Sequence, residues 1–357
     1  MRAIVVERFG IRPAVADVPD PAAADDGVVL RVEATGLCRS DWHGWLGHDA
    51  DIRLPHVPGH EVAGTIAAAG QDVRGWSAGD RVIVPFICAC GTCAQCRDGN
   101  QQVCLNQEQP GFTCWGSFAE YVAVPRAEAN LVRLPDDLGF DAAAALGCRF
   151  ATAYRAVRHV AKVSPGEWMA VFGCGGVGLS AVMIAASAGA RVIAIDVSPG
   201  ALALAAAQGA ERTLASGPGI AEHVREITGG GAHVTIDAIG SAEIVRSALH
   251  ALRPRGRHVQ IGLLPGEVSL EMTELIRWEL RWLGSHGMAA HEYGEMLGLV
   301  GSGALHPGDL VTRVIGLGDV PDALVAMSAG STPGVTVIRP HQPAGRPAAA
   351  ASPRPPQ

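Results

Sequence analysis

The chain has 357 residues, of which 48% are hydrophobic and 18% are charged, and this balance excludes a disordered protein. The formal net charge of -7 and the lack of a Lys/Arg-rich block exclude a surface built for nucleic acid. Residues 1–8 carry charges within their first apolar run, and no uninterrupted apolar stretch reaches the ~18 residues that span a bilayer. We therefore expect a cytoplasmic protein without a membrane segment, long enough for two domains.

Short β-forming runs bounded by Gly, Pro or Asp dominate the first part of the chain, with examples that begin at Gly27, Ala63 and Gly79. From about residue 150 strands alternate with helix-length segments, which is typical of a parallel sheet. The predicted strands there are Trp168–Gly173, Arg191–Asp196, His233–Asp237, Arg257–Gly262 and Leu280–Ser285, and the predicted helices are Val177–Ala188, Gly200–Gln208, 220–228 and 241–252. The sequence thus predicts an α/β protein with a β-rich domain, a doubly wound parallel-sheet domain and a disordered Pro/Ala-rich tail at 341–357.

A glycine-rich turn follows the first of these predicted strands. Gly173, Gly175 and Gly178 have the G-x-G-x-x-G spacing, between an apolar strand and the start of a helix. In that context the glycines permit a tight turn, a close approach of the backbone to a pyrophosphate, and close packing of helix on strand. The helix N-terminus then favours the phosphates of a dinucleotide. The alternative is a glycine-rich turn that binds no ligand.

An acidic residue ends the next predicted strand. Asp196 lies 18 residues after Gly178, where a carboxylate can accept hydrogen bonds from the adenosine ribose hydroxyls. The same carboxylate would repel a 2′-phosphate, and no Lys or Arg occurs from residue 192 to residue 211. The sequence therefore favours NAD over NADP.

Four of the nine cysteines lie close together, in the spacing C-x2-C-x2-C-x7-C: Cys90, Cys93, Cys96 and Cys104. Four thiolates suit a tetrahedral structural Zn²⁺ site that leaves no position open for substrate. We expect this lobe, at about residues 88–106, to bind zinc, with an iron–sulfur cluster or disulfides as the alternatives. Cys88, Cys114 and Cys174 have no assigned role.

A second set of metal-binding residue types is spread along the chain. Cys38 follows a predicted strand, His60 lies in a Gly-His-Glu segment, and Cys148 lies much later. Two thiolates and one imidazole leave a fourth position open, which is the arrangement of a catalytic zinc site.

Four elements follow one another along the chain: the segment of Cys38, the Gly-His-Glu segment, the four-cysteine lobe and the glycine-rich turn. In this order they resemble the zinc-dependent alcohol dehydrogenases of the medium-chain dehydrogenase/reductase superfamily, over residues 1 to about 340. The resemblance implies a GroES-like catalytic domain formed by residues 1–149 and 288–340. It also implies a Rossmann NAD-binding domain formed by residues 150–287.

The resemblance implies roles around the catalytic zinc as well. Cys38, His60 and Cys148 correspond to its ligands, and Glu61 to an acidic neighbour that approaches the metal. Asp41 corresponds to the carboxylate that orients the zinc histidine. Ser40 and His43 correspond to the proton relay from the alcohol towards solvent. Ser40 and Asp41 could instead cap a short helix, and His43 could be a surface histidine.

The remaining implied contacts concern cofactor and substrate. Arg39 corresponds to a residue at the pyrophosphate. The expected nicotinamide and turn contacts are Thr152, Gly176, Val177, Ile261 and Gly262, and the expected walls of the substrate pocket are Trp42, Phe86, Phe112 and Trp115, each of which could equally be core packing. The chain departs from the family by lacking a basic residue after Asp196 and by carrying Arg149 where many relatives have Gly.

Together these features predict an NAD-dependent dehydrogenase with two zinc ions per chain, which interconverts a primary or secondary alcohol and an aldehyde or ketone. By analogy we expect a homo-oligomer, with a tetramer favoured over a dimer. One alternative is a related zinc enzyme that acts on a polyol, an amino-acid alcohol or formaldehyde. An alternative of another class is a non-catalytic scaffold or sensor that binds NAD and zinc.

Overall fold

The computed structural model describes residues 1–330 and 332–342, so the predicted tail lies outside the described residues from residue 343 onward. The strands are β1 Arg2–Val5, β2 Ala14–Asp17, β3 Val28–Leu37, β4 Val62–Ala69, β5 Arg81–Val84, β6 Tyr121–Val124, β7 Val132–Arg133, β8 Trp168–Phe172, β9 Arg191–Asp196, β10 Arg212–Ala215, β11 Ala232–Asp237, β12 Leu252–Gln260, β13 Arg281–Gly284, β14 Val311–Gly316 and β15 Val335–Arg339.

The α-helices are α1 Arg39–Trp45, α2 Ala94–Arg97, α3 Ala127–Asn130, α4 Phe140–Ala145, α5 Ala151–Arg155, α6 Gly176–Ser187, α7 Pro199–Ala207, α8 Ile220–Thr228, α9 Ala242–His250, α10 Met272–Arg277, α11 Tyr293–Gly301 and α12 Val320–Ala326. Short 3₁₀ turns lie at Gln101–Val103, Ala290–Glu292, Pro307–Leu310, Leu317–Asp319 and Met327–Ala329, and π-helical turns at Leu146–Phe150 and Ala156–Val160. None of the helices in the described part of the chain is both long and apolar enough to cross a membrane.

The first of two compact units consists of Met1–Cys148, Ala289–His291 and the segment that begins at Pro307. Its main sheet has the order β14-β15-β3-β4-β5-β7, with β6 paired to β3, and only the β14–β15 pair among these is parallel. The strands bury one side against a core that includes Leu30, Val32, Val62 and Val82. Each such side chain stabilises the fold by about 1.5–3 kcal/mol when fully buried.

The antiparallel pairing of β3 with β4 positions two of the predicted metal ligands. Thr35, near the end of β3, pairs with Val62, at the start of β4. Cys38 directly follows β3 and His60 lies two residues before β4, so the pairing brings both to the same end of the sheet. The amide of Gly36 donates to the carbonyl of Glu61 at 2.9 Å and closes this end.

The second compact unit consists of Arg149–Met288 and Glu292–His306. Its sheet is parallel and has the order β10-β9-β8-β11-β12-β13. Numbered from its own first strand, that order is 3-2-1-4-5-6, which is the order of the doubly wound dinucleotide-binding fold. Every residue of Trp168–Phe172 is buried, as expected for a central strand covered on both faces. The predicted α/β fold class is confirmed.

The sequence-based division assigns all of 288–340 to the first unit, and here the structure differs. Glu292–His306 packs with the second unit. Tyr293 is 1% exposed, and Arg158 and His159 pair with Glu295 and Glu292 at 3.2 and 3.1 Å. This packing of α11 depends on residues more than a hundred positions apart, so no local pattern revealed it.

Candidate active site

Asp41 connects helix α1 to His60 through one buried carboxylate. Its Oδ2 accepts from the amide of Cys38 at 2.8 Å, as a helix cap does. Its Oδ1 accepts from His60 Nδ1 at 2.9 Å and from the amide of Gly59 at 3.2 Å. Asp41 is 1% exposed. Through these hydrogen bonds, the same buried carboxylate caps the helix and orients His60.

The hydrogen bond to Asp41 fixes which nitrogen of His60 can bind a metal. A carboxylate only accepts, so Nδ1 carries the hydrogen and Nε2 keeps its lone pair in the neutral ring. Nε2 is buried and has no hydrogen-bond partner among the described residues. Burial opposes a charge on the ring, but the attraction and hydrogen bond of Asp41, together with Cys38, raise the pKa of His60 well above its usual value. The surroundings therefore favour a cation at this nitrogen.

The four residues Cys38, His60, Glu61 and Cys148 offer donor atoms that all lie within 4.8 Å of one another. Such spacing suits one Zn²⁺, whose bonds to sulfur and nitrogen are about 2.0–2.3 Å long. Cys148 enters the cluster from the π-helical turn Leu146–Phe150. Turns of this kind occur often at functional sites because the extra residue redirects a side chain. The predicted ligands are thus brought together, and their chemistry fits zinc.

Two of the four predicted pocket aromatics flank His60. The ring centroids of Phe86 and Phe112 lie 6.0 and 5.0 Å from the centroid of His60. The amide of Phe86 donates to the carbonyl of Gly147 at 3.1 Å, which ties the end of β5 to the turn that carries Cys148. These two rings give the cluster an apolar side.

The two predicted pocket tryptophans have other contacts. Trp42 donates from Nε1 to Ser328 Oγ at 3.0 Å, and its ring stacks under the guanidinium of Arg39 at 3.7 Å. Trp115 is 40% exposed and donates to the carbonyl of Pro55 at 3.2 Å. Its indole lines a surface groove that also contains Met1, Pro19 and Tyr121. The indole N–H of Trp115 thus has its partner at Pro55, and its place in the substrate pocket stays a prediction.

The predicted relay residues lie on helix α1. Ser40 Oγ is 3.8 Å from Cys38 Sγ. His43 is half-buried, and its Nδ1 lies 2.9 Å from Nδ1 of His48. Arg39 is exposed and donates to the carbonyl of Met327 at 2.6 Å. His48, which contacts His43 here, follows a glycine and is not among the predicted site residues.

The four-cysteine lobe has the geometry of a zinc site. The Sγ–Sγ distances are 3.9 Å for Cys90–Cys96, 3.5 Å for Cys93–Cys96 and 3.8 Å for Cys93–Cys104. A tetrahedral ion with bonds of about 2.3 Å requires sulfur atoms ~3.8 Å apart, whereas a disulfide requires ~2.05 Å. The predicted disulfide alternative therefore does not fit.

Backbone amides point at these sulfur atoms. The amides of Cys90 and Asn106 donate to Cys104 Sγ at 3.2 and 3.3 Å, and the amide of Cys93 donates to Cys90 Sγ at 3.3 Å. Hydrogen bonds from the backbone and side chain of Thr92 lower the pKa of Cys90 to about 5, while burial raises the pKa of Cys96 to about 12. The surroundings thus favour the thiolate form of Cys90 and keep Cys96 buried. Such a set suits a cation that all four cysteines bind together.

The glycine-rich turn of the second unit has the three properties that its spacing predicts. Gly173 has a φ of 91°, which a residue with a side chain rarely adopts. A Cβ on Gly178 would lie 1.7 Å from the carbonyl oxygen of Gly173, so helix α6 packs too closely for any side chain. A Cβ on Gly175 would meet nothing within 4 Å, so the backbone there faces open space.

Asp196 connects its strand to this turn. Its Oδ2 accepts from the amide of Cys174 at 2.7 Å, and its Oδ1 from the amide of Ser198 at 2.8 Å. A carboxylate has about four lone-pair sites, so it can accept further bonds. The apolar residues that follow β9, β11 and β12 are unusually exposed: Val197 81%, Ile239 49% and Leu263 76%. These residues lie at the carboxyl ends of parallel strands, which is where open α/β sheets bind their ligands.

Asp237 and Gln260, which are not among the predicted site residues, hold the backbone at Ile261 and Gly262. The amides of Ile261 and Gly262 donate to the carbonyl of Asp237 at 3.0 and 2.9 Å. Gln260 Nε2 donates to Asp237 Oδ2 at 2.9 Å and to the carbonyl of Gly262 at 2.6 Å. Thr152 is 6% exposed, and its Oγ1 has no hydrogen-bond partner among the described residues.

Comparison with known proteins defines the family. Residues 24–136 match the alcohol dehydrogenase GroES-like domain, and residues 176–302 match the zinc-binding dehydrogenase domain. An alcohol dehydrogenase from Rhizobium meliloti (strain 1021) is 35% identical over 308 residues, covering 85% of this chain and 89% of the relative. An NAD-dependent alcohol dehydrogenase from Sulfurisphaera tokodaii is 32% identical, covering 91% of this chain and 95% of the relative.

The fold comparison agrees. A Sinorhizobium meliloti 1021 protein of the zinc-binding dehydrogenase type, solved with NADP bound, superposes with a TM-score of 0.85 at 29% identity, covering 95% of this chain and 99% of that one. The chain therefore belongs to the zinc-dependent alcohol dehydrogenases of the medium-chain dehydrogenase/reductase superfamily, with a GroES-like domain and an NAD-binding domain. It is an oxidoreductase, as the sequence predicts.

Proposed function

We propose that this protein is an NAD-dependent alcohol dehydrogenase that interconverts a primary or secondary alcohol and the corresponding aldehyde or ketone. The observation that carries the proposal is the buried His60, whose Nδ1 bonds Asp41 while Nε2 has no hydrogen-bond partner among the described residues, beside Cys38 and Cys148. Three protein ligands that leave one position open are typical of catalytic zinc.

The residues Cys38, His60 and Cys148 would hold that zinc, with Asp41 orienting His60 and Glu61 close by. The chemistry that zinc supplies when bound is polarisation of the alcohol oxygen, which lowers the pKa of the alcohol. Ser40 would accept the hydroxyl proton as it passes its own proton on, and His43 would be the next group to hold a proton. Phe86 and Phe112 would exclude water and bind the apolar part of the substrate.

We assign NAD as the preferred cofactor. Asp196 would accept bonds from the ribose hydroxyls and would repel a 2′-phosphate. The exposed Val197 stands next to it, where a protein that binds a 2′-phosphate would gain from a basic residue. One relative is named as NAD-dependent and another was solved with NADP bound, so the preference of this chain requires its own measurement.

The other cofactor contacts are proposed residue by residue. The turn Gly173–Gly178 would bind the pyrophosphate, with Arg39 as a further cation. Thr152, Val177, Ile261 and Gly262 would contact the nicotinamide. We also propose a second, structural zinc in the lobe of Cys90, Cys93, Cys96 and Cys104, giving two ions per chain.

We propose that the protein is a homo-oligomer, with a tetramer favoured. In the part of the chain that the structure describes, β13 ends its sheet. Four large apolar side chains on and near α10 and β13 are exposed, namely Met272, Ile276, Trp278 and Trp282. Surfaces of this kind usually bind another chain. Light scattering on the purified protein measures the mass of the oligomer.

We also propose a cytoplasmic location, because the thiols of the lobe need a reducing compartment.

A substrate screen tests the proposed function. The purified, zinc-loaded protein is mixed with NAD⁺ or NADP⁺ and a panel of primary and secondary alcohols, polyols, amino-acid alcohols and formaldehyde adducts, and absorbance at 340 nm is followed. Turnover with simple alcohols and NAD⁺ supports the proposal, and turnover confined to polyols supports the related enzyme. A protein that binds NADH and zinc but turns over nothing in the panel would be a scaffold or sensor.

A further inference from the structure

The C-terminus of helix α1 ends in a glycine cap that brings two histidines together. Gly47, with a φ of 79°, takes the left-handed position after the helix. Its amide donates to the carbonyl of Gly44 at 3.0 Å, and the amide of His48 donates to the carbonyl of His43 at 3.0 Å. These two bonds define the Schellman motif, in which the residue after the glycine contacts the third residue from the helix end. Here both of those residues are histidines.

The two rings contact each other through their Nδ1 atoms, 2.9 Å apart. Both nitrogens cannot carry a hydrogen at this distance, so one donates to the other. Trp42 packs edge-on against both rings, with centroids 4.9 Å from His43 and 6.0 Å from His48. His43 is half-buried and His48 is exposed, so the contact runs from the interior to the surface.

The charges around the pair come from few groups. Arg39 lies on the same helix, Cys38 precedes it, and Asp49 follows His48. The facing turn Met327–Ala329 contains no ionisable residue, and Asp322 of α12 pairs with Arg12 at 2.7 Å. Burial lowers the pKa of His43, and the charges of Arg39 and His48 lower it further. His43 is therefore a poor place for a proton to stay.

We propose that His48 is the outer member of a two-histidine relay that passes protons between His43 and solvent during alcohol oxidation. The inference rests on the proposed function and extends it to a residue outside the predicted site. A proton that arrives at Nε2 of His43 leaves from its Nδ1 to Nδ1 of His48. His48 then releases a proton from Nε2 to water or to a buffer base. Each ring gains one proton and loses one, and no bond other than N–H changes.

Nuclear magnetic resonance of the zinc-loaded protein with ¹⁵N-labelled histidine tests the pair without any substrate. The charge of His48 lowers the pKa of His43, so in His48→Gln the signals of His43 should titrate at higher pH than in wild type. His43→Gln identifies its signals, and His223→Gln, which removes an exposed histidine from the second unit, is the matched control. Unchanged titration of His43 in His48→Gln contradicts the pair.

Proton release during alcohol oxidation tests the relay. In wild type the rate of proton release, measured by stopped flow with an indicator dye, should not depend on buffer concentration. In His48→Gln it should fall about tenfold at low buffer and recover as imidazole is added, since positioned proton transfer contributes ~10²–10⁴-fold overall. A uniform loss that imidazole does not restore indicates a structural role and overturns the relay. Lack of any NAD-dependent alcohol oxidation by wild type refutes the proposed function instead. The nuclear magnetic resonance experiment still shows whether His43 and His48 interact.

Discussion

Oδ1 of Asp41 lies 2.9 Å from Nδ1 of His60, at a place where the two side chains are 0% and 1% exposed. Because the same carboxylate also accepts from the amide of Cys38, it holds two of the proposed zinc ligands in one fixed arrangement. The hydrogen bonds of this carboxylate therefore set the orientation of two of the residues that would hold the zinc.

Replacing Asp41 by Asn should weaken the catalytic zinc while sparing the lobe. The variant removes the charge that stabilises the Nδ1–H of His60, and outer residues of this kind contribute about 10–100-fold in metal affinity. Metal analysis after dialysis against graded chelator should show one ion lost early and one retained. Asp136→Asn, at an exposed carboxylate, is the control. Equal retention of both ions in Asp41→Asn would contradict the assigned role.

Replacing Cys96 by Ser should remove the lobe zinc and lower Tm. Cys96 is 8% exposed and its sulfur lies 3.5 Å from that of Cys93, so the site cannot close without it. Metal binding contributes folding free energy directly in such sites. Differential scanning calorimetry and metal analysis measure both effects. Cys114→Ser, outside the cluster, should keep both ions, and a Cys96→Ser protein with full zinc content would remove the lobe as a site.

Replacing Asp196 by Ala should weaken NADH binding about 10–100-fold, because bonds to a charged acceptor contribute about 1.5–3 kcal/mol. Discrimination against NADPH should fall as well, since the repulsion of the 2′-phosphate is lost. Titration of NADH and NADPH fluorescence gives both dissociation constants. Glu211→Gln, at a surface carboxylate paired with Arg191, is the control. An unchanged ratio of the two constants would show that Asp196 does not select the cofactor.

Two glycines of one turn should respond to alanine in different ways. Gly178→Ala forces a Cβ to within 1.7 Å of the carbonyl of Gly173 and should unfold the second unit or lower Tm strongly. Gly175→Ala has open space and an ordinary φ of -74°, so the fold should survive. Its new methyl group stands where the pyrophosphate would approach, so NADH affinity should fall. Calorimetry and fluorescence titration separate the two effects, and full NADH affinity in Gly175→Ala would place the phosphates elsewhere.

The sequence predicted the turn and strands of the second unit well because each is a local pattern. The observed β9, Arg191–Asp196, has the predicted bounds, and α7 begins one residue early because Ser198 caps it and Pro199 suits the first turn. The edge strand Arg212–Ala215 escaped prediction, since its residues are mostly exposed and lack a clear alternation.

The site was predictable only in part, for a similar reason. Cys38 and His60 carry local motifs, whereas the π-helical turn that directs Cys148 has no pattern of its own. The proposed role of His48 could not be predicted from the sequence, because a single histidine after a helix has no pattern until the glycine cap is seen. For Trp115 the assignment to the substrate pocket stays a prediction, because composition does not tell which way an indole points.

The bond from the amide of Cys174 to Asp196 has a consequence for how cofactor preference can change. The carboxylate of Asp196, which would bind the ribose, also holds the turn Gly173–Gly178, which would bind the diphosphate. A substitution of Asp196 by a small residue, made to admit a 2′-phosphate, also removes the acceptor of the hydrogen bond from the amide of Cys174. A successful switch should therefore require a compensating second change that supplies a new partner for the Cys174 amide.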